Sequence, residues 1–283
     1  MKIGFNMLLW TPFVTEEHFH LFEPLKKTGY DGVELEIFQG TPRHYARIAR
    51  VLKDTGLEST AVTIIPDEAH NPISRDPGHR RASVDHLQWA IDCAAALGSG
   101  ILCGPFYQVL GKFSGSGPTE DEKTWAADAH RQAAEIASQA GVSLAVEALN
   151  RFECYFLNTV ADAAAHVKRV NHPNFGLMYD TFHANLEEKD PVGALAGNLN
   201  IVRHIHISEN DRGTPGRGHV PWAETFRTLR RGGYDGWLTI EAFGRTLPDL
   251  AATTCVWRDL SGSNEEVYTE GFKMIRRQWS AAA

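Results

Sequence analysis

The chain has 283 residues, 43% of them hydrophobic, enough to bury a substantial core. No apolar run approaches the roughly 18 residues that a membrane-crossing helix needs, so no membrane partner is expected. The formal net charge of −7 at pH 7 offers no broad positive field for a phosphate backbone, which argues against a nucleic-acid partner.

The first strand-like run begins at Lys2 or Ile3, with no charged leader, apolar stretch and small-residue cleavage site ahead of it. A cytoplasmic location is the expectation. Cys93, Cys103, Cys154 and Cys255 lie far apart with no CxxC spacing, so they read as free thiols and not as a structural zinc site.

Short apolar runs recur at 3–8, 32–37, 59–65, 100–103, 143–147, 175–180, 203–207 and 237–241, and most intervals between them can hold a helix. Alternating strands and helices imply parallel strands, and eight such units predict an α/β fold of the (β/α)8 TIM barrel type. The punctuation agrees. Thr41-Pro42 opens one helix, and Thr119 with Glu122 forms a capping box ahead of another over 125–140. Gly29, Gly56, Gly98 and Gly141 stand where C-terminal glycines belong. Gly29-Tyr30-Asp31-Gly32 is echoed by Gly233-Tyr234-Asp235-Gly236, each leading from a helix end into a strand. No linker or low-complexity segment interrupts the pattern, so residues 1–283 read as a single domain. The richest loop, Gly111 to Pro118, follows the fourth strand on the side where barrel active sites sit.

Four side chains of metal-ligand type fall near the ends of the last four runs. Glu147 closes Ser-Leu-Ala-Val-Glu, Asp180 closes Gly-Leu-Met-Tyr-Asp, His206 sits in His-Ile-His-Ile, and Glu241 closes Trp-Leu-Thr-Ile-Glu. Charged groups at the ends of apolar strands need a partner, and in a barrel all strand ends open onto one mouth. Each residue alone has an ordinary explanation, a strand-end ion pair or a hydrogen-bonded core histidine. Together, three acids would crowd the barrel top without a compensating charge. One divalent cation would serve all four, and an oxygen-rich set of this kind suits Mn²⁺ first, with Co²⁺ or Mg²⁺ as alternatives. His204 shares a strand face with His206 one layer deeper and reads as a supporting residue.

The segment Glu147-Ala-Leu-Asn-Arg-Phe-Glu153, then Asp180-Thr-Phe-His183, His206-Ile-Ser-Glu-Asn-Asp-Arg212, Gly216-Arg-Gly-His-Val-Pro-Trp222 and Glu241-Ala-Phe243, with the late Val256-Trp-Arg-Asp-Leu260, resembles the D-tagatose 3-epimerase family. That family includes the D-allulose and L-ribulose 3-epimerases and lies within the xylose-isomerase-like barrels. The resemblance covers nearly all of residues 141–262 in order. It implies metal ligation by Glu147, Asp180, His206 and Glu241, and contacts to substrate hydroxyls from Glu153, His183 and Arg212. It also implies a homodimer or homotetramer, with the 111–118 loop and the helix around 265–279 as candidate contact regions.

Residues 1–140 match less closely. Ala61-Val62-Thr63 stands on the third strand where some members carry a cysteine, and Ala184 replaces a common methionine. These departures bear on which sugar is preferred.

The resulting expectation is a metal-dependent ketose 3-epimerase acting on free ketohexoses or ketopentoses through an enediolate. Inverting C3 requires removal of its proton from one face and return to the other, a task assigned to Glu147 and Glu241 as an acid/base pair. Trp10, Phe106, Tyr107 and Phe243 are candidate walls for the sugar. Competing readings are an aldose–ketose isomerase on the same metal site, an endonuclease IV-like nuclease, and a catalytically silent sugar-binding protein. The nuclease would require more histidines at strand ends and a basic groove.

Overall fold

Asn6 ends the first strand by turning its side chain back on the chain: its Oδ1 accepts from the backbone N–H of Leu8 at 2.8 Å, and Met7–Leu9 winds into a single 3₁₀ turn. β1 (Lys2–Asn6) is therefore shorter than its apolar run. In the computed structural model, which describes residues 1–283, it is followed by β2 (Gly32–Glu36), β3 (Glu58–Val62), β4 (Ile101–Gly104), β5 (Ser143–Glu147), β6 (Phe175–Asp180), β7 (Val202–Ile207) and β8 (Trp237–Ile240). All pair in parallel with their sequence neighbours, and β8 returns to β1 with Ile3 opposite Leu238, closing the barrel.

Ten helices surround it: α1 (Phe22–Thr28), α2 (Pro42–Thr55), α3 (Pro77–Leu97), α4 (Glu120–Gln139), α5 (Val160–Val170), α6 (Thr181–Glu187), α7 (Pro191–Asn198), α8 (Trp222–Arg231), α9 (Pro248–Thr253) and α10 (Asn264–Ala281). The expected caps are present. Thr119 and Glu122 exchange hydrogen bonds at the start of α4, and Gly29, Gly56 and Gly98 end their helices at φ of 115°, 76° and 81°, the left-handed conformation that costs glycine least. Gly141 (φ 71°) lies one residue past the cap of α4. The third run was expected to continue to residue 65, but β3 stops at Val62 and Ile65 makes an isolated bridge to Val109. All four cysteines are unpaired, and no helix is long and apolar enough to cross a membrane.

The period of two sorts each strand between two interiors. Leu35, Ala61, Leu102, Leu144 and Leu177 face the helices and join the main core. Val62, Cys103, Ala145 and Met178 make a separate apolar cluster inside the barrel. Other inward positions are polar, among them Asn6, Glu34, Thr60, His204 and His206, all buried. A barrel floored with polar groups is costly unless each is paired, so their arrangement points to the site above them.

Away from the mouth, α4 and α5 are joined by two buried histidines. His130 Nε2 donates to the carbonyl of Phe106 at 3.0 Å, so its Nδ1 accepts from His166 Nε2 at 2.7 Å. Burial holds His130 down to about 4 and His166 well below its ordinary value. The unfolded chain therefore takes up protons at these rings first. Stability should fall as pH drops from the unfolded value near 6.5 towards 4, with His130 alone contributing about 3 kcal/mol over that window. Denaturant midpoints between pH 7.5 and 4.5 should show this slope, and His130→Gln should flatten it. Equal slopes in the two proteins would remove the histidine pair from the account.

Candidate active site

Asp180 caps α6 with one oxygen and leaves the other free. Oδ1 accepts from the N–H groups of Phe182 (2.6 Å) and His183 (3.3 Å), while Oδ2 is buried without a hydrogen-bond partner. His206 is held the same way from the other side: Nε2 lies 2.5 Å from Glu34 Oε1, and Nδ1 has no partner. Because Glu34 is an acceptor, Nε2 carries a ring proton, and Nδ1, the nitrogen left for a metal, faces Asp180 Oδ2 at 3.6 Å and Glu241 Oε1 at 3.4 Å. Two carboxylates converging on one imidazole nitrogen call for a positive charge there, a ring proton in the metal-free protein or a cation that takes its place. This is the donor arrangement of a divalent cation site, with a carboxylate behind the histidine to fix its tautomer.

The four residues expected at the strand ends come together here. Donor atoms of Asp180, His206 and Glu241 all lie within 4.8 Å of one another, and so do those of Glu147, Asp180 and His183. Asp180 belongs to both sets, so Glu147 and Glu241 flank it from different sides of the mouth. Glu241 follows β8 by one residue and extends its ladder, its N–H donating to Ile207 O at 3.3 Å. Electrostatics register the missing charge. Burial, then the neighbouring Asp180 and Glu241, push the Glu147 carboxyl well above its usual range. Burial alone would lower His206, but Glu34 and Glu241 outweigh it and raise it well above an ordinary histidine.

His183, Arg212 and Glu153 form the second half of the site. His183 Nδ1 accepts from the Asn150 N–H at 2.9 Å, and its Nε2 lies 3.7 Å from Glu147 Oε1 and 2.9 Å from Arg212 Nη2, a nitrogen that can only donate. Arg212 is buried with its guanidinium against the rings of Phe182 (4.2 Å) and Phe243 (4.7 Å), and its Nη2 lies 3.3 Å from Glu153 Oε1. It sits at φ 62°, unusual for a side chain of this size. Glu209 holds the loop that imposes this conformation, accepting from Gly216 N (2.7 Å), Val220 N (3.2 Å) and Trp222 Nε1 (3.0 Å). Glu153 takes a 2.7 Å bond from Asn150 Nδ2.

These groups open onto a cavity of about 130 Å³. Glu147, Glu153, His183, Arg212 and Glu241 are its charged and polar lining, and Leu8, Phe38, Val62, Ile64, Leu110 and Leu250 are among its apolar lining. Of the four aromatic residues considered as walls, Phe243 lines the cavity. Phe106 and Tyr107 are fully buried against His130 and Phe156, and Trp10 packs on Phe5 and Tyr268.

Two acids outside the expected set are central. Glu34 accepts from Asn6 Nδ2 (3.0 Å) and Thr60 Oγ1 (2.8 Å) besides its contact with His206, and His204 Nε2 lies 2.7 Å from it without an aligned hydrogen bond. Burial disfavours its charge, but His206 and His204 hold it well below the usual carboxylate range. Glu36, two residues on, is buried with neither oxygen paired, and burial together with Glu34 and Glu241 keeps its carboxyl well above that range. The signal was present in Gly-Val-Glu-Leu-Glu: two acids at a spacing of two cannot both face solvent from a buried parallel strand.

Comparison with known proteins settles the lineage. Residues 22–278 match the model of the xylose isomerase-like TIM barrel family. The chain belongs to that family. A probable ketose 3-epimerase of Synechocystis sp. is 32% identical over 99% of this chain and 97% of its own length, and a ketose 3-epimerase of Arthrobacter globiformis is 32% identical over 99% and 98%. A D-allulose 3-epimerase from Methylomonas sp., solved in complex with D-allulose, superposes with a TM-score of 0.91 at 27% identity over 98% of this chain and 97% of that one. The chain is thus a xylose isomerase-like barrel of the ketose 3-epimerase group, and its mouth carries the donor set described above.

Proposed function

We propose that the protein is a metal-dependent ketose 3-epimerase acting on free ketohexoses or ketopentoses. The observation that carries this reading is the pair of orphaned atoms, Asp180 Oδ2 and His206 Nδ1, facing each other between Glu147 and Glu241. In the proposal Glu147, Asp180, His206 and Glu241 hold one divalent cation per subunit, Mn²⁺ in the first instance and Co²⁺ or Mg²⁺ otherwise. When bound, such an ion supplies Lewis-acid polarisation of the ketose carbonyl.

The chain's own groups do the rest. One of Glu147 and Glu241 removes the C3 proton as a carboxylate, and the other, protonated, returns a proton to the opposite face, with the roles exchanged in the reverse direction. Their strands, β5 and β8, are separated by two others, which suits an exchange between opposite faces of one carbon. The Arg212 guanidinium offers donors to substrate hydroxyls, His183 Nε2 stands beside it as a further polar contact, and Glu153 offers an acceptor. The apolar lining of the cavity keeps water from the reacting carbon. Cytoplasmic residence and assembly as a homodimer or homotetramer belong to the same reading. Phe113, 54% exposed in the 111–118 loop, is a side chain that such an interface would cover.

Metal-stripped protein incubated in D₂O with tagatose, fructose, allulose, sorbose or ribulose should incorporate deuterium at C3 and form the C3 epimer only when Mn²⁺ is added back, as read by NMR. Deuterium at C1 with aldose product would convert the reading to an aldose–ketose isomerase. No exchange on any sugar, with cleavage of abasic DNA, would convert it to the nuclease.

A further inference from the structure

Glu36 has no explanation in the chemistry described so far. Alternate residues of β2 point the same way, and Glu34, one repeat deeper, is fully engaged by Asn6, Thr60 and His206. Glu36 lies one repeat nearer the mouth, 1% exposed, with both carboxyl oxygens unpartnered. The acids nearest it are Glu34 and Glu241, and no basic residue forms an ion pair with it. The backbone N–H groups of Glu36 and Leu8 are the donors near its carboxyl, neither in an aligned hydrogen bond, and a buried carboxyl so weakly met and without a counter-charge has acceptor capacity left for a ligand.

Its neighbours show which ligand. Val62, its partner in the β2–β3 register, lines the cavity, as do Leu8 just beyond β1 and Phe38 two residues further along the chain. Leu8, Phe38, Val62 and Ile64 line the cavity together with Glu147, His183 and Arg212, and Glu36, in register with Val62, lies buried beside that lining.

Building on the epimerase reading, we propose that Glu36 is a substrate-contacting residue that sets specificity: its carboxyl accepts a hydrogen bond from a ketose hydroxyl flanking the reacting C2–C3 pair. A sugar with its C2 and C3 oxygens among the Glu147, Asp180, His206 and Glu241 donors has its next hydroxyls, at C1 and C4, to offer to the cavity lining. The Glu153, His183 and Arg212 side takes one end, and Glu36 takes the other. A carboxyl oxygen accepts such a bond in either protonation state.

The test uses wild type, Glu36→Leu and Glu36→Gln, each Mn²⁺-loaded, with a parent ketose and its 1-deoxy and 4-deoxy analogues. Glu36→Leu keeps the side-chain size and removes the acceptor, so KM for the parent ketose should rise about tenfold or more with kcat changed far less, since a site built to bind a hydroxyl loses most when that bond is lost. Glu36→Gln, which retains an acceptor oxygen, should recover most of the loss, and Mn²⁺ affinity should be unchanged in both. The penalty should vanish for the one deoxy analogue that lacks the hydroxyl concerned, and that analogue identifies which end of the sugar meets β2. A uniform loss across all three sugars, or a parallel loss of Mn²⁺ affinity, would show a structural role and overturn the proposal while the epimerase reading stands. An unchanged KM would show that Glu36 meets only trapped water, with the same consequence. A wild type that epimerises no ketose would overturn both. If Glu36→Leu fails to fold by circular dichroism, Glu36→Asp, which withdraws the acceptor by one methylene, takes its place with the same expected pattern.

Discussion

Glu147→Gln is expected to lower kcat for epimerisation by about 10²–10⁴-fold, the range associated with loss of one positioned acid–base group. The diagnostic result is an asymmetry. If Glu147 and Glu241 serve opposite faces of C3, Glu147→Gln leaves Glu241 able to exchange the C3 proton of one epimer with D₂O while interconversion is lost. Glu241→Gln should do the same for the other epimer. Mn²⁺ content should be measured alongside, because both residues belong to the candidate ligand set and glutamine still offers a carbonyl oxygen. Equal residual exchange from both epimers in both variants, with metal retained, would reject the two-base assignment. Burial first, then the like charges of Asp180 and Glu241, raise the Glu147 carboxyl, and a bound cation would lower it towards the range of a working base.

Glu34→Gln is expected to weaken Mn²⁺ binding by about 10–100-fold, the usual cost of removing the carboxylate behind a metal-ligating histidine. The 2.5 Å contact from His206 Nε2 to Glu34 Oε1 fixes which ring nitrogen faces the site. An amide in that position can present its NH₂ group to Nε2 and favour the wrong tautomer, turning a protonated Nδ1 towards Asp180 and Glu241. Calorimetric titration of the metal-free protein with Mn²⁺ measures the effect directly. Full affinity in the variant would mean that His206 is oriented by packing alone. Thr60 and Asn6 also lose an acceptor, so a thermal unfolding midpoint belongs beside the titration to separate misfolding from mis-orientation.

Residue by residue, the legible part of this protein was local. Strand positions, the capping box at Thr119 and Glu122 and the left-handed glycines after α1, α2 and α3 depend on periodicity and backbone sterics, which act over a few residues and are written in the sequence. The ends of β1 and β3 depended on the Asn6 side chain and an isolated bridge, and apolar composition does not report either. Glu147, Asp180, His206 and Glu241 could be picked out in advance because a parallel barrel carries every strand end to one mouth, so position along a strand already implies position in the site.

What the sequence by itself determined, then, was the eight-unit order, the closed barrel and the strand-end positions of Glu147, Asp180, His206 and Glu241, because each rests on short-range patterns repeated along the chain. Only the tertiary structure decided that His206 presents Nδ1, that Glu34 stands behind it, that Arg212 bends back at positive φ under the hold of Glu209, and that Glu36 is left unpaired beside the cavity lining. These are relations between β2 and β7, or between a loop and its anchor, separated by many residues in sequence. Hydrogen-bond direction and unmet polar groups follow from three-dimensional juxtaposition, and no local pattern encodes them.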